Sequence, residues 1–299
     1  TGWAGHEHRW GRAGAPQRRL IAGYPVWHGQ DLRKQRIIVY EEQGLGDIIQ
    51  FSRFLPLLGA LGAEITFLVR SSMHRLLRSL ASTVQFCDTP PPGQAFDYQI
   101  ALMSLPWAFG TTLTTVPSDV PYLRPEEPLF AKWRQRIGDS GLKIGICWQG
   151  NPSAKVDFGR SIPLRCFRPL AAIDGARLIS LQRTHGLEQL STLPAEMTVE
   201  TLGTDVDAGP DALVDTAAII ANLDLVITSD TSIAHLAGAL GRPVWVVLRH
   251  VPDWRWMLER ADSPWYPTAR LFRQLQPGDW GEVFERVAAA LRGIIAQRP

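Results

Sequence analysis

Short β-branched runs alternate with helical stretches twice along this chain, and that order favours one fold class above others. Arg36–Tyr40 (RIIVY) runs into a Gly-rich turn, EEQGLGD, and then into an amphipathic stretch from Asp47 to Leu61. Glu64–Val69 reads as the next strand, 71–80 as a helix, and Val84–Phe86 and Tyr98–Ile100 as further strands. A Pro-rich stretch over 117–128 interrupts the pattern, and a helix follows over 129–137. The alternation then restarts with strands at Lys143–Trp148, Ala176–Leu181, Asp224–Thr228 and Val244–Leu248, with helices near 186–192 and 231–240 and a closing helix over 280–296. Strand–helix–strand order with apolar strands predicts parallel sheets covered by helices. The reading is therefore α/β with two units, 1–125 and 126–299. The first opens on an irregular or partly helical lead-in over 1–30, and the closing helix is free to pack back on the first unit.

Composition removes several function classes. With 31 Lys+Arg against 29 Asp+Glu over 299 residues, the net charge of +2 argues against a polybasic nucleic-acid binder. Three cysteines, Cys87, Cys147 and Cys166, are too few and too scattered for a disulfide framework or a zinc site, which points to a reducing compartment. No window reaches the roughly 18 uninterrupted apolar residues of a membrane span. The expected location is cytoplasmic, at most peripheral to the inner membrane. The chain begins with Thr, not Met, and is expected to follow an upstream segment in a longer protein.

In open parallel sheets, ligands bind beyond the carboxyl ends of the strands. Three such ends are polar and Gly-rich here. At the first, Gly44 and Gly46 allow a tight turn, and Asp47 stands at the start of the following helix, either as an N-cap or as a carboxylate able to take a proton from a substrate hydroxyl. The second, WQGNPSAKVDFGRS over 148–161, offers Lys155 and Arg160 to an anion, or else is a solvated loop. The third, TSDTSIAHLAGALGRP over 228–243, places Asp230, Thr231 and Ser232 at a helix N-terminus suited to a pyrophosphate, with His235 either structural or part of that site. G-x-G-x-x-G, G-x-S-x-G and Walker A patterns are all missing, so dinucleotide oxidoreductase, serine hydrolase and P-loop ATPase readings are weak. Trp148, Trp254, Trp256 and Trp265 could stack on a base or sugar, or pack in the core; Asp253 and Arg255 could simply pair with each other.

Several long motifs together carry a resemblance: EEQGLGDIIQFSRFLPLL, ICWQGNPSAKVDFGRSIPL, SLQ at 180–182, DTAAIIANLDLVITSDTSIAHLAGALGRPVWVVL, PDWRWML and SPWYPTARLFRQ. Across about residues 25–275 the chain resembles the glycosyltransferase family 9 (heptosyltransferase-like) domain, in the version found downstream of tetratricopeptide repeats in bacterial proteins. The resemblance implies a GT-B fold, two Rossmann-like domains facing across a cleft, the first taking the acceptor and the second a nucleotide-sugar donor.

It also implies residue roles. Asp47 matches the family's catalytic aspartate after the Gly44/Gly46 loop. Asp230, Thr231 and His235 match its D-T-x-x-x-H motif at the donor diphosphate, with Ser232 where the family has Gly. Arg160, then Lys155, is the expected phosphate-binding cation. Trp148, Gly150, Asn151, Gln182 and Glu188 are the expected nucleoside and sugar contacts. The family needs no metal and no cofactor; ADP-heptose is its default donor. The acceptor would be a glycan, a lipid-linked glycan or a protein hydroxyl. The rival expectations are a catalytically degenerate scaffold or nucleotide-responsive binding module, and a sugar-nucleotide epimerase.

Overall fold

The computed structural model describes residues 2–11, 21, 23–80, 82–153 and 157–297. The first unit runs α1 (Gly2–His6), β1 (Arg36–Tyr40), α2 (Leu45–Ser52), α3 (Leu55–Ala60), β2 (Glu64–Leu68), α4 (His74–Leu77), β3 (Val84–Cys87), β4 (Tyr98–Ala101) and α5 (Leu105–Ala108). After α6 (Glu127–Ile137) come β5 (Leu142–Cys147), α7 (Arg168–Ala171), β6 (Ala176–Ser180), α8 (Val214–Ala221), β7 (Leu225–Ser229), α9 (Ser232–Ala239), β8 (Val244–Leu248), β9 (Ala269–Arg273) and α10 (Trp280–Ala296). The strands form two wholly parallel sheets, ordered β3-β2-β1-β4 and β6-β5-β7-β8-β9.

The central strands are apolar on both faces, as parallel strands between helix layers must be. All five residues of β7 and all five of β8 are buried, and so are the last four of β1. Their carboxyl ends, where covering side chains stop, open onto the site.

The stretch expected as one helix over 47–61 is two. Pro56 has no N–H for the Ser52 carbonyl, and its ring would clash there, so α2 ends at Ser52 and α3 begins anew with Pro56 in its first turn. Residues 71–77 form a 3-10 turn followed by the single turn of α4, and 187–192 form a 3-10 helix. Among the described residues, helix α10 packs on the second unit and not back on the first. Its apolar face of Trp280, Val283, Phe284, Val287 and Leu291 joins Phe167, Leu170 and Trp245 in the core of the second sheet.

The two units meet directly through α2 and α9. A Cβ at Gly46 would stand 2.9 Å from His235 Cδ2 and 3.5 Å from the Ser232 Cα, so the missing side chain is what lets the helices touch. Phe51, Phe54, Ile233, Leu236, Trp265 and Tyr266 continue one apolar core across this contact. Trp3 of α1 adds its ring to Phe51 on one side and to Trp254 and Trp265 on the other, all edge-on.

Candidate active site

Asp47 occupies the first turn of α2, three residues after the N-cap, Gly44. It is not itself the N-cap. Its Oδ2 accepts the Gly44 N–H at 3.0 Å, which neutralises one free donor of the helix start and fixes one edge of the carboxylate. Its Oδ1 is held by Arg255 Nη2, which arrives from the 3-10 turn Trp254–Trp256 after β8. Burial pushes the Asp47 carboxyl above its ordinary range, while Arg255 and the Gly44 N–H pull it down. Burial likewise opposes the charge on Arg255, but Asp47 and Asp253 outweigh it and keep the guanidinium firmly protonated.

Next to Asp47, where Gly46 meets Ser232, stands the N-terminus of α9. Thr231 is its N-cap, in extended conformation, and among the described residues no side chain caps the helix. The Thr231 hydroxyl lies 3.2 Å from that of Thr228. Ser232 takes the first helical position, beside Gly46. Burial raises the Asp230 carboxyl, with Asp253 adding to the effect and Arg255 and Arg160 opposing it, so these charges share one neighbourhood.

His235 belongs to the packing between units and not to an open phosphate site. Its ring is 5% exposed, stacked on Trp256 at 5.4 Å, and shares a 3.0 Å hydrogen bond with the Tyr266 hydroxyl. Burial holds its pKa well below the usual value, with the cations Arg255 and Arg53 adding to the effect, so the ring is neutral. A neutral, enclosed imidazole adds no cation for a diphosphate.

In the loop after β5, Arg160 lies over Gly150; a Cβ there would fall 2.1 Å from Nη2. Its Nε and Nη2 donate to Asp157 Oδ1 at 3.1 and 3.0 Å, and Asp157 also accepts from the Ser161 hydroxyl. Arg249 donates to the Phe158 carbonyl and ties this loop to the end of β8. Lys155 lies outside the described residues.

The expected nucleoside contacts are mostly structural. Trp148 is fully buried, and its indole N–H donates to the Gly186 carbonyl at 3.1 Å. The Gln182 amide is spent inside the protein. Its oxygen accepts the N–H groups of Trp148 and Gln149, each at 3.1 Å, and its nitrogen donates to the carbonyls of Gln149 and His185 at 2.8 and 2.7 Å. With no donor left over, the side chain stitches the ends of β5 and β6 together and has none to read a base. Asn151 is exposed and closes its own turn onto the Ser153 N–H at 3.0 Å, and Glu188 is exposed on the 3-10 helix. Trp256 and Trp265 are also buried; Trp254 alone of the four tryptophans is exposed, at 45%. Beyond β6 a cavity of about 290 Å³ is lined by Gln182, Arg183, Thr204, Val206 and Thr216 among others.

Sequence reasoning missed Arg255 as a bridge. Paired there only with Asp253, it also binds Asp47 and, through Nε, the Gln50 oxygen at 2.7 Å. An arginine between two tryptophans in PDWRWML was the available signal. Asp157, the counter-charge of Arg160, was missed as well. Among the described residues no three His, Cys, Asp or Glu side chains group as a metal site. No helix among them is long and apolar enough to cross a membrane.

A protein-family model matches residues 176–257, from β6 through the Trp254–Trp256 turn. The model is that of glycosyltransferase family 9 (heptosyltransferase). The matched segment contains Gln182, the α9 N-terminus and Arg255. Protein FlbA of Caulobacter vibrioides is 30% identical over 322 residues, an alignment covering 99% of this chain and 52% of FlbA. The chain thus spans about half the length of the curated relative it matches. The family 9 glycosyl transferase of Veillonella parvula superposes with a TM-score of 0.64 at 14% identity, covering 91% of this chain and 100% of its own. The E. coli ADP-heptose lps heptosyltransferase II gives 0.62 at 15% identity, covering 88% and 99%. These likenesses show that the two parallel sheets have the GT-B fold.

Proposed function

We propose that the protein is an inverting glycosyltransferase that moves a sugar from a nucleoside-diphosphate sugar to a hydroxyl acceptor without a metal. The observation that carries this reading is the convergence of Asp47, from one unit, on the uncapped N-terminus of α9, from the other, with Arg255 between them. In the reaction, Asp47 takes the acceptor hydroxyl proton as its oxygen bonds to the anomeric carbon from the face opposite the nucleotide. The bond from that carbon to the diphosphate oxygen breaks, and the nucleoside diphosphate leaves with the electron pair. Its charge falls on the backbone N–H groups at 230–232 and on Arg160, in a cleft that excludes water. Arg160 must trade Asp157 for phosphate, and Asp157 holds it close by until then.

The cavity beyond β6 supplies room for a nucleoside. An ADP-sugar of the heptose type is the expected donor, by similarity to the E. coli ADP-heptose lps heptosyltransferase II. The acceptor is a glycan, a lipid-linked glycan or a protein side chain, met in the cytoplasm or at the inner membrane face, with tetratricopeptide repeats upstream in the same protein.

Calorimetric titration with ADP, UDP, GDP and CDP, without added metal and with NAD as control, tests the reading. One nucleoside diphosphate should bind selectively, and Arg160→Ala should weaken it about tenfold or more, since a hydrogen bond to a charged group contributes roughly 1.5–3 kcal/mol. Binding of none of the four would instead favour a degenerate scaffold.

A further inference from the structure

Asp47 and Arg255 lie 208 residues apart and on different units, yet their side chains meet. Arg255 is 8% exposed, and every face of its guanidinium is engaged. Nη2 goes to Asp47, Nε goes 2.7 Å to Gln50 Oε1 one turn further along α2, and Nη1 goes 2.9 Å to Asp253. The group sits over the rings of Trp254 at 4.7 Å and Phe51 at 5.7 Å. A planar fork held at three edges and on its face cannot swing, and it transmits that rigidity to whatever it binds. Gly44 N–H fixes the other carboxylate oxygen at 3.0 Å, so Asp47 is gripped from both units at once.

We infer that Arg255 is the positioning residue of the Asp47 base: from the second unit it fixes the orientation of a carboxylate carried by the first. The inference rests on the glycosyltransferase reading for what the base does, but not for whether it is held. Each Asp47 oxygen keeps lone-pair capacity for an acceptor hydroxyl beyond the bond already made. The base is therefore set only when the two units stand together, which links catalytic readiness to closure.

The groups facing Asp47 are few. The Trp254–Trp256 turn and its cap bring Arg255 and Asp253; the α9 side brings Asp230, which acts through Arg255, and the neutral His235. Arg255 favours the charged carboxylate, and Asp253 disfavours it.

The test is a carbon-detected NMR titration of the full chain labelled at aspartate carboxyl carbons, with Asp47→Asn identifying the Asp47 signal. In Arg255→Met the Asp47 midpoint should rise by roughly 1–3 pH units, the usual effect of losing an adjacent opposite charge. In Arg255→Lys it should fall between the two, because a point charge cannot serve Asp47, Gln50 and Asp253 together. Asp253→Asn keeps Arg255 in place and should lower the midpoint, which keeps the inference testable if Arg255→Met fails to fold by circular dichroism. An unmoved midpoint in folded Arg255→Met, or in Asp253→Asn and Arg255→Lys together, overturns Arg255's role and leaves the transferase reading intact. A shifted midpoint in a protein that binds no nucleoside diphosphate supports the grip on Asp47 and retires the transferase reading instead.

Discussion

The β1–α2 and β7–α9 turns are built alike and face each other, yet they spend their helix N-termini differently. Each leaves the carboxyl end of a buried parallel strand, passes an extended N-cap and enters an eight-residue helix. In α2 the N-cap N–H of Gly44 is taken by Asp47, whose other oxygen is bound by Arg255. In α9 Thr231 turns its hydroxyl toward Thr228, and among the described residues no side chain takes the first-turn N–H groups. One turn thus presents a held carboxylate and the other the N–H groups of Ser232 and Ile233 with a partial positive charge, the Ala234 N–H going to the Thr231 carbonyl. A base and an anion cradle need these opposite endings, and the same backbone plan provides both.

The largest break in that comparison is Asp47→Asn. Asparagine keeps the shape and can still accept the Gly44 N–H, but it cannot take a proton. Turnover of an ADP-sugar donor should fall about 100- to 10,000-fold, while calorimetric affinity for the nucleoside diphosphate at the α9 end stays within about twofold. Unchanged turnover would remove Asp47 from the chemistry and make the two turns alike after all.

How much of this was legible beforehand depended on the range of the interactions. The strands β1, β5, β7 and β8 stand within a residue or so of their expected places, because buried parallel strands are short unbroken apolar runs. Strand β9 (ARLFR) was not read as a strand, since Arg270 and Arg273 break its apolar run. Helix α8 (VDTAAIIA) was not read as a helix: six of its eight residues are buried, so it lacks the polar stripe that marks a surface helix. At the site, local features such as the Gly-rich turn and the Asp-Thr-Ser helix start could be read directly. The functions of Gln182, Gly46 and Arg255 could not, because each is defined by a partner 33 to 208 residues away. Gln182 was expected as a nucleoside contact from the family resemblance, and nothing local shows that its amide is already fully used.

The end of β6, where Gln182 stands, sharpens the contrast from outside both turns. Gln182→Ala should unpair the N–H groups of Trp148 and Gln149 and two carbonyls. The expected loss is about 3 kcal/mol in urea unfolding, the upper end for leaving a buried polar group unsatisfied. A loss under about 1 kcal/mol, with weakened nucleotide binding instead, would return Gln182 to the donor site.

Gly46 and Gly44 separate packing from turn geometry within α2. Gly46→Val places a branched side chain against the His235 ring, which is fixed by Trp256 and Tyr266, and should cost about 2 kcal/mol of stability by overpacking. At Gly44 a Cβ meets only Asp47 Oδ2, at an ordinary 3.5 Å, with φ of −78°, so Gly44→Ala should cost less than about 1 kcal/mol. Equal losses at both glycines would mean that the loop, and not the α2–α9 contact, needs them.

The smallest effect concerns His235, the α9 residue that lies opposite Gly46. Folded, the imidazole stays neutral because burial and two nearby cations depress its pKa well below the usual value. Unfolded, it takes up a proton near pH 6.5. Below that pH the unfolded chain binds the extra proton, so stability is lost as pH falls; above it the group contributes nothing. From pH 6.5 downward the loss from this one residue approaches about 1.4 kcal/mol per pH unit. Urea unfolding of the wild type and His235→Gln at pH 7.5 and 5.5 isolates it, since glutamine can still bond to Tyr266 but does not titrate. The wild type should lose about 1 kcal/mol more than the variant over that interval. Equal losses would mean that His235 is protonated in the folded protein, and a cation one turn inside α9 would then belong to the anion cradle and not to the packing between the units.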